Sequence, residues 1–157
     1  MKPLTSRRQF LLCSSGAAAG IGMAALIQVK PARATPAAMQ EAIRKVVDPA
    51  RVNTGRVKLD VPPLVENGNV VPLAISVESP MTEADHVRAI HVFTEKNPLP
   101  DVVSCRLGPR AGRASVATRI RLTDTQTVIA ICELSDGSFW SGSADVVVTL
   151  AACLEDA

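Results

Sequence analysis

The sequence of 157 residues is poor in the side chains from which most enzyme sites are built. It has no tyrosine, one tryptophan and two histidines, and no glycine-rich loop leads into a helix, which excludes a phosphate cradle. His86 and His91 are five positions apart, so on one strand they would face opposite sides of a sheet, which excludes a shared metal site. We interpret both as surface or rim imidazoles. Because nothing assembles a base, an acid and a nucleophile, the sequence predicts a protein that is not an enzyme and needs no cofactor.

The N-terminus has the pattern of an export signal. Arg7-Arg8 stands directly before an apolar stretch rich in small residues, and the A-x-A pattern Ala32-Arg33-Ala34 follows. This order is typical of a cleaved twin-arginine signal peptide, whereas a membrane anchor would need about 20 predominantly apolar residues. We predict cleavage before Thr35, with residues 1–34 as the signal peptide and residues 35–157 as the mature domain. The mature domain is then periplasmic and free of the membrane.

The net charge changes sign when the predicted signal is removed. Five of the 17 basic residues and none of the 15 acidic residues lie in residues 1–34, which leaves 12 basic against 15 acidic residues, a net charge of −3. No nucleic-acid footprint remains on such a domain. Five arginines form a basic cluster in the sequence. A solvated strand face explains this cluster about as well as an anion-binding surface does. Its members are Arg106, Arg110, Arg113, Arg119 and Arg121.

The mature domain begins with a helical pattern and continues with strands. Residues 35–47 have apolar side chains at helical spacing, with Thr35 as the N-cap, Pro36 at the first helical position and Asp48-Pro49 as the stop. After that the period becomes two, and β-rich runs alternate with turn formers. The runs are Arg56–Val61, Val70–Glu78, His86–Glu95, Val102–Leu107, Ala114–Leu122, Thr127–Leu134 and Ser143–Leu150.

Seven strands with no helix between them predict an all-β fold, an immunoglobulin-like antiparallel β-sandwich preceded by one short helix. The alternation of side chains in His86–Glu95 and Ala114–Leu122 indicates strands with one buried face and one wet face. We interpret Phe139 and Trp140, which lie in a turn-to-strand segment, as a core plug rather than a stacking platform.

The mature domain has three cysteines, Cys105, Cys132 and Cys153. An odd number in an oxidising compartment leaves one thiol unpaired or paired with another chain. Cys105 and Cys132 both lie in predicted strands, and either a disulfide between neighbouring strands or two buried small hydrophobic residues would suit them. Cys153 lies on the terminal segment, where a mobile tail can present a thiol to other proteins. A filler after the last strand is the alternative.

Five segments, in this order and spacing, resemble the SoxY family, the sulfur-carrier subunit of the bacterial Sox thiosulfate-oxidation system. The resemblance covers nearly the whole chain, including the export signal. The last of the segments stands directly before the terminal cysteine segment. The segments are Val65–Pro72, Ser79–Thr82, Glu95–Pro98, Ser135–Trp140 and Val147–Leu150.

The resemblance implies an immunoglobulin-like sandwich that pairs with a second small β protein, SoxZ. It also implies that Cys153 holds the substrate covalently and that the carrier performs no catalysis. The haem enzyme SoxAX would join thiosulfate to the thiol, and the sulfohydrolase SoxB and a sulfane dehydrogenase would then process the adduct. The alternative is a non-carrying binding module that keeps the partner interface but not the sulfur cargo.

The terminal segment departs from the family pattern, which ends Gly-Gly-Cys-Gly-Gly. Here the segment reads Ala151-Ala152-Cys153-Leu154-Glu155-Asp156-Ala157. Glycine gives an arm freedom and slimness, and alanine and leucine supply less of both. The resemblance therefore also allows a variant carrier, one that serves a different partner enzyme or holds a related sulfur species.

The export signal can be tested by replacing both arginines with lysine. Because the paired arginines define the signal, we expect Arg7→Lys together with Arg8→Lys to leave uncleaved precursor in the cytoplasm. Cell fractionation followed by intact-mass measurement checks this. Normal amounts of mature periplasmic protein from the double variant would contradict the assignment.

Overall fold

The computed structural model describes residues 35–47 and 52–152. The predicted signal peptide, the predicted helix stop at Asp48-Pro49 and the terminal Cys153 lie outside these residues. The described part contains helix α1 (Pro36–Val47), a 3-10 turn (Pro109–Ala111) and nine strands. The strands are β1 (Val52–Thr54), β2 (Val57–Asp60), β3 (Leu64–Val65), β4 (Val71–Val77), β5 (Val87–Thr94), β6 (Asp101–Arg106), β7 (Ser115–Ile120), β8 (Gln126–Leu134) and β9 (Phe139–Val148). No helix among these residues is long and apolar enough to cross a membrane.

The strands form two sheets that share one core. The larger sheet has the order β1-β9-β8-β5-β6, and β3 also pairs with β9, while the smaller sheet has the order β2-β4-β7. All the longer strands pair antiparallel. The predicted immunoglobulin-like sandwich with one short helix is therefore confirmed. The short strands β1 and β3 were not predicted, and both pair parallel to β9, along its outer edge.

Alternation of side chains explains the smaller sheet. In β4, Val71, Leu73 and Ile75 are buried, whereas Pro72 and Ser76 are exposed. Strand β7 has the same alternation, with its odd-numbered positions exposed, so its predicted wet face is confirmed. An antiparallel sheet with one solvated face is expected to show this pattern. The buried set packs against inward residues of β5, β8 and β9 to form the main core.

Strand β5 departs from the prediction, because it is buried on both faces. Phe93 points away from the main core and is fully buried. It packs with Met39, Val47 and Ile131 in a second apolar cluster, since helix α1 lies on the outer face of the larger sheet. The prediction of one wet face for β5 is wrong for this reason. Residues 35–47 and 52–152 therefore form three layers, namely the small sheet, the large sheet and the helix.

Helix α1 begins as predicted. The Thr35 side chain caps it, because the Ala38 N–H donates to Thr35 Oγ1 at 3.2 Å. The Met39 N–H donates to the Thr35 carbonyl at 3.0 Å. Pro36 occupies the first helical position, where a missing N–H costs no intrahelical hydrogen bond.

Phe139 and Trp140 lie inside β9, which begins four positions earlier than predicted. As neighbours on a strand they face opposite sides. Phe139 packs against the helix-side cluster, and Trp140 packs against the main core. The Arg56 guanidinium carbon lies 4.9 Å from the Trp140 ring centroid, a cation–π contact. Both rings are half-buried and pack against buried clusters, as expected of a core-packing pair, but each ring packs against a different cluster.

The packing of helix α1 on the sheet predicts that alanine at position 39 destabilises the fold more than alanine at position 40. Met39 is 3% exposed and Gln40 is exposed. We expect Met39→Ala to lower the free energy of unfolding by about 2–5 kcal/mol, because it leaves a cavity under the helix. We expect Gln40→Ala to change it by less than about 0.5 kcal/mol. Urea unfolding measures both, and equal midpoints would show that the helix does not bury Met39 against the sheet.

Candidate functional site

The residues after β9 are held at one end of the sandwich by backbone hydrogen bonds. The Gly68 N–H donates to the Leu150 carbonyl at 2.8 Å. The Leu122 N–H donates to the Gly68 carbonyl at 2.8 Å, and the Ala152 N–H donates to the Leu122 carbonyl at 3.1 Å. We call Gly68, Leu122, Leu150 and Ala152 the anchor junction. Ala152 is 6% exposed, so the chain is packed up to the residue that precedes Cys153.

Glycine is required at the centre of the anchor junction. A Cβ atom on Gly68 would collide with the Leu122 carbonyl oxygen and would stand 2.8 Å from the Ala152 nitrogen. Real Cβ atoms do not approach backbone this closely, and glycine is the residue that permits such contact. Beside it, Asn67 Oδ1 accepts from the Asn69 N–H at 2.9 Å, an Asx turn that shapes the loop.

A buried side-chain amide fixes the Leu122 part of the junction. Asn97 is 7% exposed, and its Nδ2 donates to the Arg121 carbonyl at 2.7 Å. Its Oδ1 accepts from the Thr123 N–H at 3.2 Å and from Gln126 Nε2 at 3.0 Å. The residues on both sides of Leu122 are therefore tied to one amide. Buried polar groups satisfied in this way hold a single geometry.

Cys105 and Cys132 do not form the predicted bridge. Both are in register with Ile90, one from each side, so strand β5 lies between them. Two strand spacings of about 4.8 Å separate the α-carbons by about 9–10 Å, beyond the roughly 7 Å that a disulfide tolerates. The two thiols are free, so the expectation of a disulfide between neighbouring strands is wrong. Burial raises the pKa of the Cys132 thiol to about 11, so it stays protonated and unreactive at neutral pH.

Residues 43–153 match the family model of the sulfur oxidation protein SoxY. The chain belongs to the SoxY family. The matched region contains the whole anchor junction and includes Cys153 at its last position.

Solved structures agree with the family fold. The sulfur carrier protein SoxY from Chlorobium limicola f thiosulfatophilum is 23% identical, with a TM-score of 0.61 over 71% of this chain and 96% of that one. A superoxide reductase (neelaredoxin) from Ignicoccus hospitalis is 21% identical, with a TM-score of 0.54 over 73% and 94%. A superoxide reductase from Nanoarchaeum equitans is 13% identical, with a TM-score of 0.51 over 61% and 100%. At these identities the likeness shows a shared fold alone. No curated protein sequence matches the chain.

In this SoxY family member, three of the motif segments serve the anchor junction, which the sequence did not reveal. Val65–Pro72 contains Gly68, Val147–Leu150 contains Leu150, and Glu95–Pro98 contains Asn97. A fourth segment, Ser135–Trp140, builds the β8–β9 turn at the opposite end. There Gly137 has a φ of +81°, and hydrogen bonds from the side chain and then the backbone of Ser138 lower the pKa of Asp136. The only sequence signals for the junction were a glycine between two asparagines and an asparagine before a proline.

The histidines and arginines do not assemble a second site. His86 Nδ1–H donates to the Thr82 carbonyl at 3.0 Å, and His91 Nδ1 lies 2.9 Å from Ser104 Oγ. Both imidazoles are half-buried at different places, as expected of rim residues. Within residues 35–47 and 52–152, no three His, Cys, Asp or Glu side chains could together hold a metal ion.

The arginine group of the sequence is divided by the fold. All five side chains are exposed. Three lie at or after the end of β6, where the chain crosses to the other sheet, and two lie at the end of β7 that adjoins the anchor junction. The first set is Arg106, Arg110 and Arg113, and the second set is Arg119 and Arg121. A single anion-binding surface made of all five is therefore wrong, because the length of β7 separates the two sets.

The role of the buried Asn97 amide predicts that alanine at position 97 destabilises the fold more than alanine at position 96. We expect Asn97→Ala to lower the free energy of unfolding by about 1–3 kcal/mol, because the amide of Gln126 and backbone groups beside Leu122 lose their partner. Lys96→Ala removes only a solvent-exposed ion pair with Asp124 at 2.9 Å and should leave the urea midpoint unchanged. A midpoint for Asn97→Ala equal to that of Lys96→Ala would contradict the role given to the amide.

Proposed function

We propose that this protein is a periplasmic sulfur carrier, which holds thiosulfate-derived sulfur covalently on Cys153 and presents it to Sox enzymes. The observation that carries the proposal is the anchor junction, which fixes the chain up to the buried Ala152, directly before Cys153. A carrier needs a rigid body and a thiol at its margin. Membership of the SoxY family supports the cargo class, and the Chlorobium relative is itself described as a sulfur carrier.

The other two thiols of the mature domain are poor candidates for this role. Cys132 is fully buried, and burial raises its pKa to about 11. Cys105 lies on edge strand β6, half-buried and in register with the core residue Ile90, so its side chain points towards the sandwich. Since the thiolate is the reactive form of cysteine and needs access, these surroundings favour Cys153 as the attachment point.

Loading of the carrier is an oxidation. The Cys153 thiolate sulfur and the outer sulfur of thiosulfate form an S–S bond and together give up two electrons, which a haem enzyme of the SoxAX type accepts. Later steps by a sulfohydrolase such as SoxB and by a sulfane dehydrogenase would then act on the adduct. The protein itself contributes the thiol and its position, and it needs no cofactor for either.

Partners of the carrier would meet an apolar margin at the same end of the fold. Five large apolar side chains are exposed on the described part of the chain. They lie at the end of the sandwich where strand β9 finishes and the terminal segment begins. They are Leu64, Val70, Leu99, Val147 and Leu150. Leu150 belongs to the anchor junction, and Val70 lies two residues after Gly68. Contact surfaces of proteins are enriched in apolar side chains at their centre, which supports docking of Sox enzymes here and of a SoxZ-like subunit nearby.

The covalent role predicts a mass change that depends on one residue. Protein purified from sulfur-oxidising cells should carry adducts of sulfane or sulfonate mass, and Cys153→Ser should lose all of them while its fold is unchanged. Cys105→Ser is the matched control and should keep the adducts. Intact-mass spectrometry, together with thiosulfate oxidation by the cells, measures both. Cells that still oxidise thiosulfate with Cys153→Ser would overturn the carrier and favour the non-carrying binding module.

A further inference from the structure

Strand β7 is an open edge of the smaller sheet. It pairs with β4, and no strand of the described residues pairs with its other side. The Val77 N–H donates to the Ala114 carbonyl at 2.9 Å, so the even-numbered residues of β7 bond to β4 in the alternating antiparallel ladder. The backbone N–H and carbonyl groups of Ser115, Ala117 and Arg119 therefore point to the open edge. An edge of this kind can accept a further strand.

The chain along this edge carries charge of one sign. Residues 106–123 include five arginines and no aspartate or glutamate, although acidic residues outnumber basic ones in the predicted mature domain. All five arginine side chains are exposed. Within residues 35–47 and 52–152, none of the five takes part in an ion pair. Their positive charge is therefore available to a partner molecule.

The arginines nearest to β7 stand at its two ends. Arg113 precedes the strand by two positions, and Arg119 and Arg121 lie at the other end. At about 3.3 Å per residue, Arg113 and Arg121 are about 26 Å apart along the chain, too far for one small anion to join them. An extended peptide of about eight residues matches this length. A shallow depression beside the Arg119 end is lined by Pro72, Ala117, Thr118 and Arg119.

We propose that the open edge of β7 binds an extended acidic segment of a partner protein by strand addition. Main-chain groups of the segment would bond to the outward groups of Ser115, Ala117 and Arg119, and carboxylates near its two ends would lie against the arginines. The main-chain bonds favour an extended chain, and the arginines select an acidic one. The proposal is independent of sulfur chemistry.

The other open edge of the sandwich does not have this preference. Strand β6 ends the larger sheet and carries both Asp101 and Arg106. A strand with charges of both signs gives an acidic segment no advantage over a basic one. The β6 edge therefore serves as an internal reference for the test.

The test measures binding of a fluorescein-labelled peptide, Glu-Glu-Val-Thr-Val-Thr-Glu-Glu, to the full-length chain by fluorescence anisotropy. We expect this peptide to bind at low salt, and a peptide with lysine in place of every glutamate not to bind. Arg113→Glu and Arg119→Glu should each weaken binding by about fivefold or more, because each removes an attraction and adds a repulsion. Arg44→Glu is the matched control, since it makes the same charge change at an exposed position of helix α1, and it should bind as the unaltered chain does.

A second measurement separates strand addition from simple charge attraction. Amide hydrogen exchange followed by NMR should become slower at Ser115, Ala117 and Arg119 when the glutamate peptide is bound. Exchange at Ser104, whose amide points to the open edge of β6, should not change. Absence of binding, equal binding of the lysine peptide, or unchanged exchange at the three β7 amides would overturn the proposal. The arginines would then be charges that keep this edge from pairing.

Discussion

The close backbone contact at Gly68 is the constraint that holds together one end of the sandwich, where strand β9 finishes. Three segments that are far apart in sequence meet there through hydrogen bonds of 2.8–3.1 Å, and they can do so because one of them has no side chain. Through this contact the chain stays hydrogen-bonded to the sandwich beyond the end of strand β9, as far as Ala152. The two sheets and their shared core hold these three segments in place.

The two apolar clusters supply this rigidity in different ways. The main core joins the two sheets, and the second cluster joins helix α1 to the outer face of the larger sheet. Strand β5 belongs to both, through Ile90 on one face and Phe93 on the other. Since β5 lies between β8 and β6, a central strand held from both sides keeps the larger sheet in one register. Its C-terminal end leads into the loop that carries Asn97.

The cysteines show how the same residue type acquires different chemistry from its place in the fold. Cys132 on central strand β8 is desolvated, and its pKa is raised to about 11. Cys105 on edge strand β6 is half-buried, and one whole strand keeps it from Cys132. Neither thiol is placed for exchange, because one is buried and the other is half-buried.

The local features of this protein could be predicted from neighbouring residues in the chain. The capped start of helix α1, the period of the strands and the family motifs are readable because each depends on neighbouring residues. Tertiary structure alone decided the rest: the burial of both faces of β5, the parallel edge strands, the separation of Cys105 from Cys132, and the meeting of Gly68 with Leu122 and Ala152. These depend on which strands become neighbours and in which register. Such pairing is set by the combined burial of many distant side chains, so no single stretch of sequence records it.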